Sequence, residues 1–298
     1  MRILLLGSGG QVGHELRRSL ALLGDVVALD HPEFDLGQPA TVAGIVATYS
    51  PTVMVNAAAY TAVDRAEQEP GLARAVNAES VDVLARCAAE SGSLLVHFST
   101  DYVYPGTGER PWVESDPTGP LNAYGRTKLA GDEAIARSGC RHVILRTSWV
   151  YASRGKNFVR TILRLAGERD RLTVVDDQFG APTAASFLAD VAARVIERHR
   201  HDPNAPSGVF HAAPTGGTTW FGVAQAVLER ARRRGVALKL AQDALVPCTT
   251  AEYPLPAARP RNSRLDVERL QREFGIRCPD WREDLHRIVD ELTEGAST

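Results

Sequence analysis

Three glycines near the start of the chain follow an apolar run and precede a helical pattern. Residues 3–6 are predicted to form a buried strand, and Gly7, Gly10 and Gly13 come directly after it. Gly7 permits the tight turn that leaves the strand, Gly10 lets the backbone approach a pyrophosphate, and Gly13 lets a helix pack closely on the strand. The N-terminus of that helix offers unpaired N–H groups and a positive dipole end to phosphates. This pattern predicts a strand–loop–helix unit that binds a nucleotide.

Short apolar runs alternate with helix-length amphipathic segments through the first half of the chain. The predicted strands are residues 3–6, 26–29, 53–55, 94–98 and 143–145, and the helical segments between them include residues 12–23 and 72–90. This alternation indicates right-handed βαβ crossovers and a parallel sheet. Strands that are apolar throughout fit a sheet covered on both faces. We therefore predict an α/β fold with a doubly wound, Rossmann-like parallel sheet.

The pattern becomes less regular after about Trp149. Helical stretches, separated by turn-rich pieces, continue at residues 158–167, 186–199 and 220–234. Residues 247–260 carry four prolines and show no clear period. We predict a cofactor-binding domain over residues 1–150 and mainly a smaller C-terminal substrate lobe over residues 151–298, with later segments returning to the first domain's sheet.

The charge and cysteine content narrow the class of partner. The 298 residues carry 34 basic and 36 acidic side chains, a formal net charge of −2, so no bulk positive field is available for nucleic acid or an anionic membrane. No run approaches the roughly eighteen apolar residues of a membrane span. The four cysteines form no CxxC pair and are interpreted as reduced thiols. We expect a cytoplasmic monomer or homodimer without a nucleic-acid or membrane partner.

A tyrosine and a lysine four residues apart share one face of a predicted helix. The run Tyr124-Gly-Arg-Thr-Lys128 follows residues 120–122, near which the helix is expected to begin. Residues i and i+4 of a helix point the same way. A cation beside a phenol lowers the phenol pKa from about 10, which makes the phenol a better proton relay near neutral pH. We predict that Tyr124 is a proton donor whose pKa Lys128 lowers.

Two further polar positions end predicted strands, where α/β sheets place ligand chemistry. Thr100, in the run Ser99-Thr100-Asp101, is predicted to donate a hydrogen bond to a substrate oxygen alongside Tyr124. A helix cap or a turn is the structural alternative for such a run. Asp30 ends the second strand about twenty residues after the glycine loop, where a carboxylate accepts both ribose hydroxyls of an adenosine.

Together these motifs resemble the extended short-chain dehydrogenase/reductases and, more narrowly, the dTDP-4-dehydrorhamnose reductase family. The matching runs are Gly7-x-x-Gly10-x-x-Gly13, Asn56-Ala-Ala-Ala59, Ser99-Thr-Asp-Tyr-Val103, Tyr124-x-x-x-Lys128, Arg146-Thr-Ser-Trp-Val-Tyr151, Asp177-Gln-Phe-Gly-Ala-Pro-Thr183 and Arg259-Pro-Arg-Asn-Ser-Arg-Leu-Asp266. They run in order from the first strand to about Trp281. The later runs separate this family from the epimerases and dehydratases of the superfamily.

The resemblance implies NAD(P)H-dependent reduction of the C4 ketone of dTDP-4-dehydro-6-deoxy-L-mannose to dTDP-L-rhamnose, the last step of dTDP-rhamnose synthesis for cell-surface polysaccharide. It implies a cofactor site formed by Gly7, Gly10, Gln11, Val12, Gly13, Asp30, Asp35, Leu36, Ala59, Tyr60, Thr61, Phe98, Tyr124 and Lys128, in which Asp35 and Leu36 flank the adenine. It implies that Thr100, Asp101 and Trp149 meet the nucleotide-sugar. Arg259 or Arg261 is suited to the diphosphate, and a solvated surface role stays open for either arginine.

The cofactor preference and a metal are two further questions that the resemblance raises. No lysine or arginine adjoins Asp30 to meet a 2′-phosphate, whereas the family accepts both cofactors. We therefore expect both NADH and NADPH to be used, with at most a modest preference for NADH.

Some family members are Mg²⁺-assisted dimers. Glu15 is a candidate ligand here, but residues 184–187 read Ala-Ala-Ser-Phe without a carboxylate, so we expect no metal-bridged dimer.

Two other functions stay open at this point. An epimerase or dehydratase of the same superfamily keeps its cofactor bound and regenerates it, so it shows no net oxidation of NAD(P)H. A non-catalytic regulatory subunit keeps the fold and binds the cofactor without chemistry. The intact set of Tyr124, Lys128 and Thr100 favours an enzyme over that subunit.

Overall fold

The computed structural model describes residues 1–294 as an α/β protein. The strands are, in chain order, β1 (Arg2–Leu6), β2 (Asp25–Leu29), β3 (Val53–Asn56), β4 (Leu94–Thr100), β5 (His142–Thr147), β6 (Val150–Tyr151), β7 (Leu172–Val175), β8 (Phe179–Gly180), β9 (Thr183–Ala184), β10 (Gly208–His211), β11 (Thr218–Thr219) and β12 (Leu245–Cys248). The α-helices are α1 (Gln11–Ala21), α2 (Pro39–Tyr49), α3 (Val63–Ala66), α4 (Pro70–Arg74), α5 (Ser80–Ser91), α6 (Ala123–Arg137), α7 (Phe158–Glu168), α8 (Ala185–His201), α9 (Trp220–Arg233), α10 (Glu268–Phe274) and α11 (Trp281–Thr293).

Six parallel strands form the central sheet in the order β10-β5-β4-β3-β1-β2. From β1 the chain adds β2 on one side and then crosses to add β3 on the other. The strand order therefore reverses between β1 and β3, and ligands of such sheets bind at the carboxyl ends of the strands beside this reversal. The predicted doubly wound parallel sheet is confirmed.

Helices cover both faces of the sheet, because successive side chains of a strand point to opposite faces. Ile3 and Leu5 of β1 pack with Leu188 of α8 on the face that carries α1. Leu4 and Leu6 pack on the other face with the apolar sides of α2 and α5. The side chains of residues 3–6 are fully buried, which explains why this strand is apolar after Arg2.

The second half of the chain both extends the sheet and builds a second core. β10 pairs with β5 at the sheet's edge, and α8 packs along α1. Helices α7, α9 and α11 form a separate apolar cluster with the small parallel pair of β7 and β12. A domain boundary at residue 150 stays a prediction, and β10 and α8 lie with the first half in space.

Two segments differ from their predicted form. The helix predicted over residues 72–90 is interrupted by a π-helical segment, Ala75–Glu79, between α4 and α5. Asn77 in this segment binds the Tyr60 backbone and the Thr127 hydroxyl, so its position follows from tertiary contacts. Residues 247–260 contain part of β12, where Pro247 is tolerated because the strand has one neighbour only.

Among the described residues, no helix combines the length and the apolar character that crossing a membrane requires.

Candidate active site

A cleft of about 620 Å³ opens at the carboxyl ends of the central strands, beside the reversal of strand order. Of the predicted site residues, those that line it are Gly7, Gly10, Gln11, Val12, Asp30, Ala59, Thr61, Phe98, Thr100, Asp101, Tyr124, Lys128 and Trp149. The predicted residues that do not line it are Gly13, Asp35, Leu36, Tyr60, Arg259 and Arg261. The cleft therefore joins the glycine loop at one end to the Tyr124 and Thr100 side chains at the other.

The glycine loop is shaped by two close backbone contacts. Gly7 has φ +79°, and a Cβ there would lie 2.6 Å from the Ala58 nitrogen. A Cβ on Gly13 would lie 1.9 Å from the Gly7 oxygen, so this glycine serves helix packing and does not face the cleft. Gly10 caps α1 without a side chain, which leaves the N–H groups of the first helical turn open to an anion.

The Asp30 carboxylate leans over this loop. A Cβ on Gly9 would lie 2.0 Å from Asp30 Oδ2, so the carboxylate stands directly against the loop backbone. Asp35 and Leu36, which the resemblance places beside the adenine, do not line the cleft. The Leu36 side chain is buried in the core, and Asp35 accepts a hydrogen bond from the Gly37 amide at 2.7 Å. The expected placement of Asp35 and Leu36 beside the adenine stays a prediction, and the Leu36 side chain itself packs in the hydrophobic core.

Tyr60 also turns away from the cleft. Its hydroxyl donates to Glu69 Oε2 at 2.5 Å, and Asn77 holds its backbone amide. The neighbouring Ala59 and Thr61 do line the cleft. A contact between the Tyr60 ring and a cofactor is therefore not supported, because the ring has a polar partner outside the cleft.

Tyr124 and Thr100 meet across the cleft. Asn122 caps α6 by accepting a hydrogen bond from the Gly125 amide at 2.8 Å, which starts the helix where the sequence predicted it. Burial raises the pKa of the Tyr124 phenol, and a hydrogen bond with Thr100 opposes that rise. The Thr100 hydroxyl also contacts Asp101 Oδ1 at 3.2 Å and accepts the Tyr102 amide hydrogen. The run Ser99-Thr100-Asp101 thus both caps a short helix and lines part of the cleft.

Lys128 is fully buried behind Tyr124. Its Nζ donates to the Phe98 carbonyl at 2.7 Å and lies 3.0 Å from His97 Nε2. Burial lowers the pKa of Lys128 to about 8, and Asp132 opposes the change. Burial has the largest effect on the pKa of both groups, and the Lys128 nitrogen is hydrogen-bonded to strand β4. The expected lowering of the Tyr124 pKa by this lysine stays a prediction.

Three buried polar atoms, on residues that line the cleft, lack a hydrogen-bond partner among the described residues. They are Ser99 Oγ, Asp101 Oδ2 and Thr147 Oγ1. Burial raises the pKa of Asp101 to about 7, and the hydrogen bond from the Thr100 hydroxyl opposes the rise. Buried polar atoms are normally satisfied. These atoms therefore fit a ligand rich in hydroxyl groups.

Two stacked indoles form the wall of the cleft contributed by the second half. Trp149, at φ +50°, stacks on Trp220 with ring centroids 3.8 Å apart. Sequence reasoning missed Trp220. Thr219 before it is a recognisable helix cap, but a cap does not say which wall an adjacent ring will form.

The two arginines proposed for the diphosphate form ion pairs outside the cleft lining. Arg259 binds Asp64 at 2.7 Å, whereas the exposed Arg261 lies 3.7 Å from Asp177. Arg259 is thus engaged by a carboxylate. The diphosphate contact stays a prediction for both.

Comparison with known proteins assigns the family. The family described as "RmlD substrate binding domain" matches residues 1–294. The chain belongs to this family. It is 48% identical over 296 residues to the dTDP-4-dehydrorhamnose reductase of Escherichia coli K12, covering 98% of each chain.

Solved structures agree with this RmlD family assignment. A dTDP-4-dehydrorhamnose reductase from Clostridium acetobutylicum matches with a TM-score of 0.90 at 34% identity, covering 98% of this chain and 100% of that one. The enzyme from Bacillus anthracis, in complex with NADP, matches with a TM-score of 0.87 at 31% identity, covering 97% and 99%. The resemblance seen in the motifs is confirmed.

As for metals, the described part of this RmlD family chain contains no group of three or more His, Cys, Asp or Glu side chains placed to hold an ion.

Proposed function

We propose that this chain reduces the C4 ketone of dTDP-4-dehydro-6-deoxy-L-mannose with NADPH or NADH to give dTDP-L-rhamnose. The observation that carries the proposal is the meeting of Thr100, Tyr124 and Lys128 at the far end of a cleft that begins at the glycine loop. The 48% identity to a reductase of this name supports the substrate. The NADP complex of the Bacillus anthracis relative supports the cofactor.

The residues present fit a dinucleotide. The uncapped first turn of α1 and the loop from Gly7 to Gly10 would hold the diphosphate, with Gln11 and Val12 beside it. Asp30 would accept the hydroxyls of the adenosine ribose. The nicotinamide, when bound and reduced, supplies the hydride.

The protein's own contribution is a proton and a pair of donors. The Thr100 hydroxyl and the Tyr124 phenol converge, so both can donate to the C4 oxygen as negative charge develops on it. Because burial raises the pKa of Tyr124, the phenol still carries its proton when the ketone arrives. Tyr124 then gives that proton to the C4 oxygen, and the Lys128 ammonium stabilises the phenolate left behind.

The polar atoms near Tyr124 that lack a hydrogen-bond partner would select the sugar. Asp101 Oδ2 and Thr147 Oγ1 would bind its hydroxyl groups, and Trp149 would cover the ring. We also place the chain in the cytoplasm, where its four free cysteines match reducing conditions. We propose that the protein is a monomer or a homodimer.

A substrate panel tests this proposal. Purified protein is incubated with NADPH or NADH and several 4-keto-6-deoxy nucleotide sugars, and the absorbance of the reduced nicotinamide is followed. We expect net oxidation with the L-lyxo 4-ketosugar and a 6-deoxy-L-mannose product. Product formation without net oxidation would indicate an epimerase or dehydratase, and cofactor binding without turnover of any sugar would indicate a regulatory subunit.

A further inference from the structure

His97 touches the catalytic lysine from inside the sheet, and the reduction described above gives it no task. Its ring is fully buried in the middle of β4. Nε2 lies 3.0 Å from Lys128 Nζ, and Nδ1 lies 3.1 Å from the side-chain nitrogen of Asn56 on β3. Three polar side chains thus form a row from β3 through β4 to α6.

The amide orientation of Asn56 determines which ring nitrogen of His97 carries the hydrogen. Asn56 Oδ1 accepts the Ala58 amide hydrogen at 3.1 Å, so its Nδ2, which can only donate, faces the imidazole. Nδ1 of His97 must therefore accept. Burial and the nearby Lys128 hold the pKa of His97 well below its ordinary value, so the ring is neutral and its single hydrogen is on Nε2.

This tautomer favours one protonation state of Lys128. A neutral amine can accept the Nε2 hydrogen on its lone pair while it donates to the Phe98 carbonyl at 2.7 Å. An ammonium has no lone pair, so it requires the opposite tautomer of His97. That tautomer turns an Nδ1 hydrogen toward the Asn56 amide hydrogens and leaves one buried contact unsatisfied.

The other ionisable groups near Lys128 do not remove this preference. Asp132, one turn later on α6, favours the ammonium, but it accepts a hydrogen bond from Arg146 Nε of β5 at 3.0 Å, which compensates its charge. Tyr124, one turn earlier, is protonated, and Asp101 faces Tyr124. Burial and the hydrogen-bond pattern of His97 thus act in the same direction.

We propose that Asn56 and His97 are positioning residues that favour the amine form of Lys128 and thereby set the alkaline limit of the reduction. This inference rests on the proposed function, in which the ammonium stabilises the Tyr124 phenolate. Neither residue needs to contact substrate or cofactor. Their effect reaches the reaction through a single hydrogen-bonded row.

The pH profile of kcat/KM tests the proposal with Asn56→Asp. A carboxylate at this position accepts the Nδ1 hydrogen, which frees Nε2 to accept from the ammonium. Wild type should lose activity above an apparent pKa near 8, and the variant should lose it about one pH unit higher. His97→Gln combined with Asn56→Asp should abolish most of that difference, since the row is broken.

Asn122→Asp is the matched control, because it places the same new carboxylate at the cap of α6, where aspartate is also favoured. It gives up the hydrogen bond from Asn122 Nδ2 to the Ala258 carbonyl, as Asn56→Asp gives up the one to His97. We expect it to leave the alkaline limit in place. An unchanged limit in Asn56→Asp, or an equal shift in Asn122→Asp, would overturn the proposal.

A second measurement does not depend on activity. ¹⁵N shifts of labelled histidine in the protein alone, at about pH 9, report the hydrogen position, and the His97 signal is the one lost in His97→Gln. We expect the hydrogen on Nε2. A hydrogen on Nδ1 at that pH would contradict the inference whatever the protein reduces, so this result is independent of the proposed function.

Discussion

Burial moves the ionisable side chains of this cleft toward their neutral forms. It raises the pKa of Tyr124, raises that of Asp101 to about 7 and lowers that of Lys128 to about 8. Each change has the same cause, the loss of water around a charge. In the reaction that we propose, Tyr124 holds its proton until the ketone is reduced, and the Asp101 carboxyl group can donate to sugar hydroxyls as well as accept from them.

Removing the Tyr124 hydroxyl tests whether this residue donates the proton. Tyr124→Phe should lower kcat by about 10²-fold or more, because the C4 oxygen loses its acid. The ring stays, so the dissociation constant of NADPH should change little. Steady-state oxidation of NADPH and a cofactor titration measure the two effects. A variant within a few-fold of wild type in kcat would exclude Tyr124 as the donor.

Asp30 allows a similar test of cofactor choice. Its carboxylate stands against the glycine loop with no arginine or lysine beside it in sequence, so it favours ribose hydroxyls over a 2′-phosphate. We expect wild type to use both cofactors with at most a modest preference for NADH, since an exposed like-charge pair costs only about 1 kcal/mol at 4 Å. Asp30→Ala should move the ratio of kcat/KM values toward NADPH. An unchanged ratio would show that another residue binds this ribose.

Local spacing predicted which candidate catalytic residues lie together better than it predicted their hydrogen-bond partners. The four-residue interval of Tyr124 and Lys128 and the strand-end position of Thr100 are properties of single elements, and the structure brings these three residues together. The partners of Tyr60 and Lys128 lie on other elements, so no local pattern shows them. A histidine inside an otherwise apolar strand was the one available signal for the row at Lys128.

Among the elements, the short strand β8 supports the indole wall. A Cβ on Gly180 would lie 2.7 Å from Trp149 Cε2, so Gly180→Ala must displace the ring that we propose covers the sugar. We expect about a tenfold higher KM for the nucleotide-sugar and an unchanged NADPH dissociation constant. Gly217→Ala is the control, since its nearest contact is 3.6 Å away on the flexible Arg264 side chain. Equal KM values for Gly180→Ala and wild type would remove Trp149 from the substrate site.

The order of elements could be predicted for the first half of the chain and less well for the second. Apolar strands and amphipathic helices there follow regular periods, so β1 to β5 match their predicted positions. The short pairs β6 with β9 and β8 with β11 have two residues per strand, too few to show any period. The break in the helix before α5 depends on Asn77 and its distant partners.

On the scale of the whole molecule, buried histidines make stability depend on pH. Burial lowers the pKa of His211 to about 3 from 6.5, and lowers those of His97 and His199 as well. Between these values the unfolded chain binds protons that the folded chain does not, so the free energy of unfolding rises with pH up to about 6.5. Asp101 acts oppositely between 3.8 and about 7, since its folded form holds the proton.

Three groups outweigh one, so we expect the protein to lose stability as the pH falls from 6.5 toward 4. A group that is neutral in the fold and charged in the unfolded chain contributes about 1.4 kcal/mol per pH unit, as His211 does between about 3 and 6.5. Urea unfolding at several pH values measures the slope. His211→Gln should reduce it by about one group's share, and an identical slope in wild type and variant would show that His211 does not remain neutral in the fold.

Strand β10 pairs with β5 in the sheet but is synthesised later, and this order has a consequence for the nascent chain. A ribosome completes β5 well before it makes α8 and β10, so for that interval β5 is an open edge and the face that α8 covers is exposed. Open strand edges and uncovered apolar faces favour aggregation. The nascent chain is therefore a substrate for chaperones that shield apolar surface, and slow translation between the two halves prolongs its dependence on them.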